Sequence, residues 1–280
     1  MTVPGREKSF NSGRANSRSG MERDSPWALW FTAAPMSLAK ELRKWADRLD
    51  APGYSESRRL RVPYPLYRFF GRVQTWGNVR TVLDVGANCG HFSRAAAQCF
   101  PSAAVHAFEP LKVCQQALQK VALRFPQVRV HPVALGERVG EVTMHENAFP
   151  DSSSLLTMTE RHKQLWPKTR QETPITVPLQ TLDGLREHFG AGPHFLKLDV
   201  QGYELNVLRG AEATLRDTLV VFTEVLFEQF YEGQVDFPTM FDFMRARGFR
   251  FVEFASECRL PPRGEVAYTD AVFLKVGPAK

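Results

Sequence analysis

The chain has 280 residues, 43% hydrophobic and 24% charged, with a net charge of +6. This composition is globular and excludes a wholly disordered chain. Its 19 Gly and 19 Pro follow no fixed period, which excludes a collagen-like fibre, and its four cysteines form no CxxC pair, which argues against a zinc ribbon or disulfide framework and for a reducing compartment.

The positive charge is concentrated at the start. Residues 1–72 hold 14 Lys and Arg against 7 Asp and Glu, whereas the remainder holds 22 against 23. Residues 1–24, rich in Gly, Ser, Asn and Arg, predict a disordered basic tail in which Met21 is an alternative start. The uncharged run 25–39 is interrupted by Pro26 and Pro35, and is shorter than the roughly 20 apolar residues of a membrane span. Glu22 and Asp24 stand where a signal peptide carries basic residues, so a cytoplasmic chain is expected. Ser37 is an N-cap for a helix through Leu49, with Leu38, Leu42, Trp45 and Leu49 on one face. Residues 51–78 carry four prolines and glycines before residue 70 and read as a loop-rich connection anchored by Tyr64, Tyr67, Phe69 and Phe70. Residues 25–72 are therefore expected to be a helical and looped segment packed on a body spanning 73–280.

In that body, strands and helices alternate. Val79–Val85 reads as a strand, followed by a Gly-rich turn and a helix over His91–Cys99. Ala103–Phe108 is a strand and Leu111–Arg124 a helix. Val128–Leu135 is a third strand, and Glu141–His145 a short extra one. Residues 147–173 read as a long polar loop, a candidate substrate lid. Ile175–Leu179 is a strand and Thr181–Phe189 a weak helix. His194–Val200 is a strand, Tyr203–Leu215 a helix, Leu219–Leu226 a strand and Phe237–Arg247 a helix. Phe249–Phe254 and Ala267–Val276 close the pattern as strands. Repeated β-α-β units predict an α/β fold, a mostly parallel sheet with helices on both faces. Ligands of such sheets bind beyond the C-terminal strand ends, so the residues that follow each strand are the first candidates for a site.

The first of these is the turn Asp84–Gly90, where glycines let backbone approach a ligand. A dinucleotide fingerprint needs glycines where this chain has Asn88 and His91, which disfavours NAD. Glu109 ends the second strand, 25 positions after Asp84, where an acidic group can accept ribose hydroxyl hydrogens. Lys197 and Asp199 share a strand face by alternation and suit a Lys–carboxylate pair.

With these residues stand DVGANCG, FEP, VALGERVGEVTMH, DSSSL, TVPLQTLD and FLKLDVQGYELNVLRGA. Together these motifs resemble the FkbM-type family of class I S-adenosylmethionine-dependent methyltransferases over roughly residues 75–275. In many members a Glu precedes the glycine of the last motif, where this chain has Gln201. The resemblance implies a Rossmann-like fold and S-adenosylmethionine as cofactor. It implies that Asp84, Gly86, Asn88 and Gly90 border the methionine half, that Glu109 holds the ribose and that Ala134 and Leu135 lie near the adenine. Asp199 would face the methyl group and the acceptor as candidate base, with Lys197 orienting it. Asp151, Ser152, Ser153, His162 and Glu224 are candidates for contact with a small-molecule acceptor, such as a sugar or secondary-metabolite hydroxyl. His131, His162 and His194 are weaker proton-transfer candidates. Asp199, Glu204, Glu224 and Glu228 are the set that would suit Mg²⁺, but Glu204 and Glu228 are expected on solvated helix faces, so no metal is assigned. The basic head leaves nucleic-acid methylation as an alternative, and a non-catalytic cofactor- or partner-binding module is another. Neither nucleic acid nor membrane is an expected partner, and oligomeric state is not legible.

Overall fold

A computed structural model describes residues 51–276. The predicted tail and the helix through Leu49 lie outside the described residues. Where a loop-rich connection is expected, two helices form instead, α1 (Tyr54–Leu60) and α2 (Tyr64–Trp76). Pro65 occupies the first turn of α2, where its missing N–H has no helical partner to lose. Phe69, Phe70 and Val73 then fall on one buried face.

The strands β1 (Thr81–Val85), β2 (Ala104–Phe108), β3 (Val128–His131), β7 (His194–Leu198) and β8 (Thr218–Leu226) build a parallel sheet in the order β3-β2-β1-β7-β8. Antiparallel β11 (Glu265–Lys275) extends it beside β8, and β9 (Phe249–Phe254) and β10 (Cys258–Leu260) pair along different stretches of β11. Strand β10 has no counterpart among the predicted elements.

Side chains alternate across the sheet, and both faces are covered. Val82, Val105, Phe195 and Phe222 pack against α2 and α3 (His91–Cys99), while α4 (Lys112–Arg124) adds Val121 to the same cluster. Phe69 lies 5.1 Å from Phe222, and Phe70 5.1 Å from Phe100, between ring centroids. Leu83, Leu196, Leu198 and Val221 face the other way, against α7 (Glu204–Arg209), α8 (Glu212–Arg216) and α9 (Phe237–Ala246). The single helix expected over 203–215 is divided at Gly210. A Cβ there would sit 2.0 Å from the carbonyl oxygen of Gly136, so the chain must pass as bare backbone.

The strand expected over 128–135 also divides. Beyond Pro132, β4 (Ala134–Leu135) leaves the main sheet and joins a second one, in the order β4-β6-β5, with β5 (Gly140–Asn147) and β6 (Glu172–Gln180). β4 meets only Leu179 and Gln180, so Pro174 in β6 faces β5 on one side and loses no ladder bond on the other. The segment 147–173 is a folded cover rather than a polar loop. It holds 3₁₀ turns at Pro150–Ser152 and Pro167–Thr169 and the helix α5 (Glu160–Leu165), capped by Thr159. Met158 is buried with Phe230 and Tyr231, and Ser154 bridges to His145, which fixes the segment on the body. The weak helix expected over 181–189 is reduced to a 3₁₀ turn and the one-turn helix α6 (Arg186–Phe189).

Candidate active site

Asp84 and Lys197 are direct neighbours across β1 and β7. Asp84 is wholly buried. Ser93, in the first turn of α3, donates to its Oδ2 at 2.6 Å, and Lys197 Nζ stands 3.2 Å from its Oδ1. Lys197 also donates to the carbonyl of Gly86 at 2.7 Å and lies 3.7 Å from Asp199. Burial opposes the lysine's charge, but Asp84 and Asp199 outweigh it and push its pKa up to about 12. The cation thus braces the Gly-rich turn from beneath.

That turn is held at both ends. Gly86 has φ 71°, and a Cβ on it would meet the Asp199 carbonyl oxygen at 1.8 Å. Asn88 has φ 46°, and its backbone N–H donates to Glu109 Oε2 at 2.8 Å. Leu111 N–H donates to Glu109 Oε1, also at 2.8 Å. Burial pushes the Glu109 pKa up to about 7, against the pull of these two donors. The Asn88 side chain donates to Asp151 and accepts from Cys114 Sγ at 3.1 Å. Burial and the neighbouring Asp199 raise the Asp151 pKa to about 6, although Lys197 and Asn88 oppose them. The cover segment therefore reaches the turn through Asp151.

Beyond β7, Asp199 Oδ1 accepts from Gln201 Nε2 at 2.8 Å, and Glu224 Oε2 accepts from the same amide at 3.0 Å. The Asp199 side chain is 38% exposed, whereas Asp84 and Glu109 are buried. Glu224 lies opposite Asp270 in the β8–β11 register. Burial first, then Asp199, Glu204 and Asp270, raise its pKa well above the ordinary carboxylate range.

Residues 84–251 match the family described as the methyltransferase FkbM domain. The chain belongs to the FkbM methyltransferase family. It is an S-adenosylmethionine-dependent methyltransferase. The 2-O-methyltransferase NoeI of Sinorhizobium fredii (strain NBRC 101917 / NGR234) is 25% identical over 216 residues, covering 75% of this chain and 85% of that protein. Methyltransferase sdnD of Sordaria araneosa is 31% identical over 155 residues, covering 47% and 60%. Among solved structures, magnesium protoporphyrin IX methyltransferase from Synechocystis PCC 6803 aligns with a TM-score of 0.41 at 11% identity, covering 88% of this chain and 100% of that one.

The methyltransferase's candidate residues fall into two groups. Gly86, Asn88, Glu109, Asp151, Asp199 and Glu224 gather around the strand ends, with Asp84 and Lys197 enclosed behind them. Asp84 reaches the site through Lys197 rather than by its own exposed face. Ser152 adjoins through its carbonyl, which lies 3.4 Å from the Tyr231 hydroxyl oxygen. The others are placed differently. Gly90 caps α3, and Ala134 and Leu135 have their side chains buried at 6% and 2% exposure. Ser153 is spent on the backbone N–H of Asn147 at 2.9 Å. His162 is corrected from an acceptor contact to a packed side chain, because Trp166, Phe230 and Tyr231 close around its ring. His194 starts β7, at the opposite end of the sheet from the site, and His131 stacks on His106 and Phe108. Glu204 is no solvated helix charge. It is 3% exposed and accepts from Val200 and Gly202 N–H groups at 2.9 and 3.2 Å. Glu228 lies outside any helix and pairs with Arg161. Among the described residues no acidic or histidine group has a metal-binding arrangement, and no helix is long and apolar enough to cross a membrane. Gln201 lies in the last motif as a departure from the family's Glu, without a role read from it, whereas Tyr231 and Asp270 join the site with no motif to announce them. Only the fold brings them in.

The donor set suits a sulfonium cofactor. Each Glu109 oxygen accepts one N–H and keeps a second lone-pair site. Asp151 and Asp199 repel one another, and a cation entering beside them relieves that repulsion.

The same groups set a pH dependence. Burial lowers His106 to about 3 and His162 and His194 to about 4, so these rings are neutral in the fold and must charge on unfolding below pH 6.5. Glu109 and Glu204 at about 7, and Asp151 and Asp270 at about 6, hold protons in the fold that the unfolded chain releases. Their contribution is complete below the unfolded values near 4 and is lost as pH rises through 6 to 7. The free protein's Tm is expected to rise as pH is lowered from 8 to about 6. It should fall below about 4, where the carboxyl contribution is complete and only the histidine contribution still changes. A fluorimetric melt series from pH 3 to 9 checks both limbs, and a flat profile contradicts the buried-carboxyl account.

Proposed function

We propose that this methyltransferase transfers the methyl group to a hydroxyl oxygen of a small acceptor, such as a sugar or secondary metabolite. The observation that carries the reading is Asp199, an accessible carboxylate at the end of β7 whose direction is fixed by Gln201 and whose neighbour Lys197 is locked to Asp84. The name of the relative NoeI, a 2-O-methyltransferase, supports oxygen as the acceptor atom.

When bound, the cofactor supplies a methyl group on a cationic sulfur, and its transfer leaves a neutral thioether. Glu109 would accept from the ribose hydroxyls, and the turn 86–90 would hold the methionine half. Asp151 and Asp199 offset the cofactor's positive charge. Asp199 would accept the proton of the acceptor hydroxyl as that oxygen takes up the methyl group. The cover segment 147–173 excludes water.

Calorimetric titration with S-adenosylmethionine and S-adenosylhomocysteine tests the cofactor assignment, with NAD as control. One-site binding is expected. Glu109→Ala should weaken it by about tenfold or more, since a hydrogen bond to a charged group contributes about 1.5–3 kcal/mol. A panel of methyl glycosides then tests the acceptor. Asp199→Asn should lower turnover about 10²–10⁴-fold, a larger loss than the weakening of cofactor binding that removal of its charge brings. Unchanged turnover would remove Asp199 as the base.

A further inference from the structure

We propose that Gln201 is the positioning residue of this site. Its neutral amide holds the Asp199 and Glu224 carboxyl groups side by side, aims Asp199, and ties both to the cover segment. The inference rests on the reading of Asp199 as proton acceptor.

Gln201 follows β7 in the left-handed region, at φ 56°, which turns its side chain back across the strand ends. Its Nε2 donates both hydrogens, to Asp199 at 2.8 Å and to Glu224 at 3.0 Å. Its Oε1 accepts from the Tyr231 hydroxyl at 2.9 Å. Tyr231 is fully buried, and burial with nearby carboxylates raises its pKa well above the ordinary value, so its hydroxyl remains a donor. The backbone carbonyl of Gln201 accepts from Ser154 Oγ at 2.7 Å, on the cover segment. Two acceptors at the nitrogen and one donor at the oxygen leave the amide a single orientation.

In this chain's surroundings an amide, where many members of the family carry Glu, is the group that fits. Lys197 is the cation beside Asp199, and it is already paired with Asp84. Asp270 on β11 stands opposite Glu224, and Glu204 on α7 and Asp151 on the cover add further carboxyl groups. Two neutral N–H donors hold Asp199 and Glu224 together without adding charge. A carboxylate of the same shape has nothing to donate and sets oxygen against oxygen. It regains a donor only by taking up a proton, and then one bond rather than two.

Gln201→Glu therefore separates positioning from packing, because it keeps the shape and makes the clamp depend on pH. Thermal unfolding of the wild type and this variant should be compared from pH 5.5 to 8.5, without cofactor or acceptor. The deficit in Tm is expected to grow from about 2 °C at pH 5.5 to about 6 °C at pH 8.5. With S-adenosylmethionine and a methyl glycoside that the wild type accepts, kcat of Gln201→Glu should gain a descending limb towards alkaline pH and recover in acid. The KM for S-adenosylmethionine should change less than about threefold. Tyr231→Phe, which frees the amide oxygen, should lower kcat about tenfold at every pH, with no new limb. A Tm deficit equal at all pH values, or wild-type turnover by Gln201→Glu at pH 8.5, overturns the proposal. If the wild type methylates no glycoside, the hydroxyl-transfer reading fails, while the melting comparison still decides the role of Gln201.

Discussion

Lys197→Met is expected to destabilise the protein by about 3–5 kcal/mol, because it leaves the Asp84 carboxylate buried without its cation. Asp84 has no exposed surface, and its remaining partner is the Ser93 hydroxyl. At about 2–4 °C per kcal/mol for a domain of this size, Tm should fall by about 10 °C. The double variant Asp84→Asn/Lys197→Met should recover most of that loss, since removing both charges of a buried pair costs far less than stranding one. Cofactor affinity should not recover with it. The lysine also holds the Gly86 carbonyl and lies beside Asp199, and neither contact returns in the double variant. Melting curves and calorimetry on the three proteins separate the two roles. Equal Tm for single and double variants would show that the pair is not the source of the stability.

Gly86→Ala is the second large effect. The position has φ 71°, which costs an L-residue about 1–2 kcal/mol, and the new methyl would press on the Asp199 backbone at 1.8 Å. Backbone cannot swing aside as a long side chain does, so the turn or the end of β7 must move. A total loss of about 3 kcal/mol or more is expected, with S-adenosylmethionine binding weakened at least about tenfold. Gly264→Ala is the control. Its φ is 73° and nothing lies within 4 Å of the added carbon, so it reports the cost of the left-handed backbone alone. If both variants lose the same stability, the close approach of the turn to β7 has no energetic weight.

The order of strands and helices in the body was readable because its periodicities are local. A buried strand such as Thr81–Val85 shows as an apolar run, and a helix such as His91–Cys99 shows as a stripe bounded by Gly90 and Pro101. Errors arose where distant contacts overrode a local signal. Prolines and glycines in 51–78 suggested a loop, yet Pro65 starts α2, and Phe92, Phe100, Phe195 and Phe222 bury the Phe69 and Phe70 of its face. The polar segment 147–173 looked open, but its Met158 pairs with Tyr231, which follows β8 some seventy residues later.

The site divides in the same way. The placement of Gly86, Glu109 and Asp199 at one edge was legible from the sequence alone, because a parallel sheet delivers the residues after each strand there, and strand alternation set Lys197 on the same face as Asp199. The sequence motifs likewise determined the family, since they lie in contiguous runs. Tertiary structure alone decided which carboxyl groups meet. Strand register sets Asp84 beside Lys197 and Glu224 beside Asp270, and the fold of the cover sets Asp151 against Asn88. It also decided that His162 is packed away and that Gln201 stands between two acids. The physical reason is that desolvation and charge pairing depend on separation in space, and only the folded chain brings residues far apart in sequence within hydrogen-bonding distance.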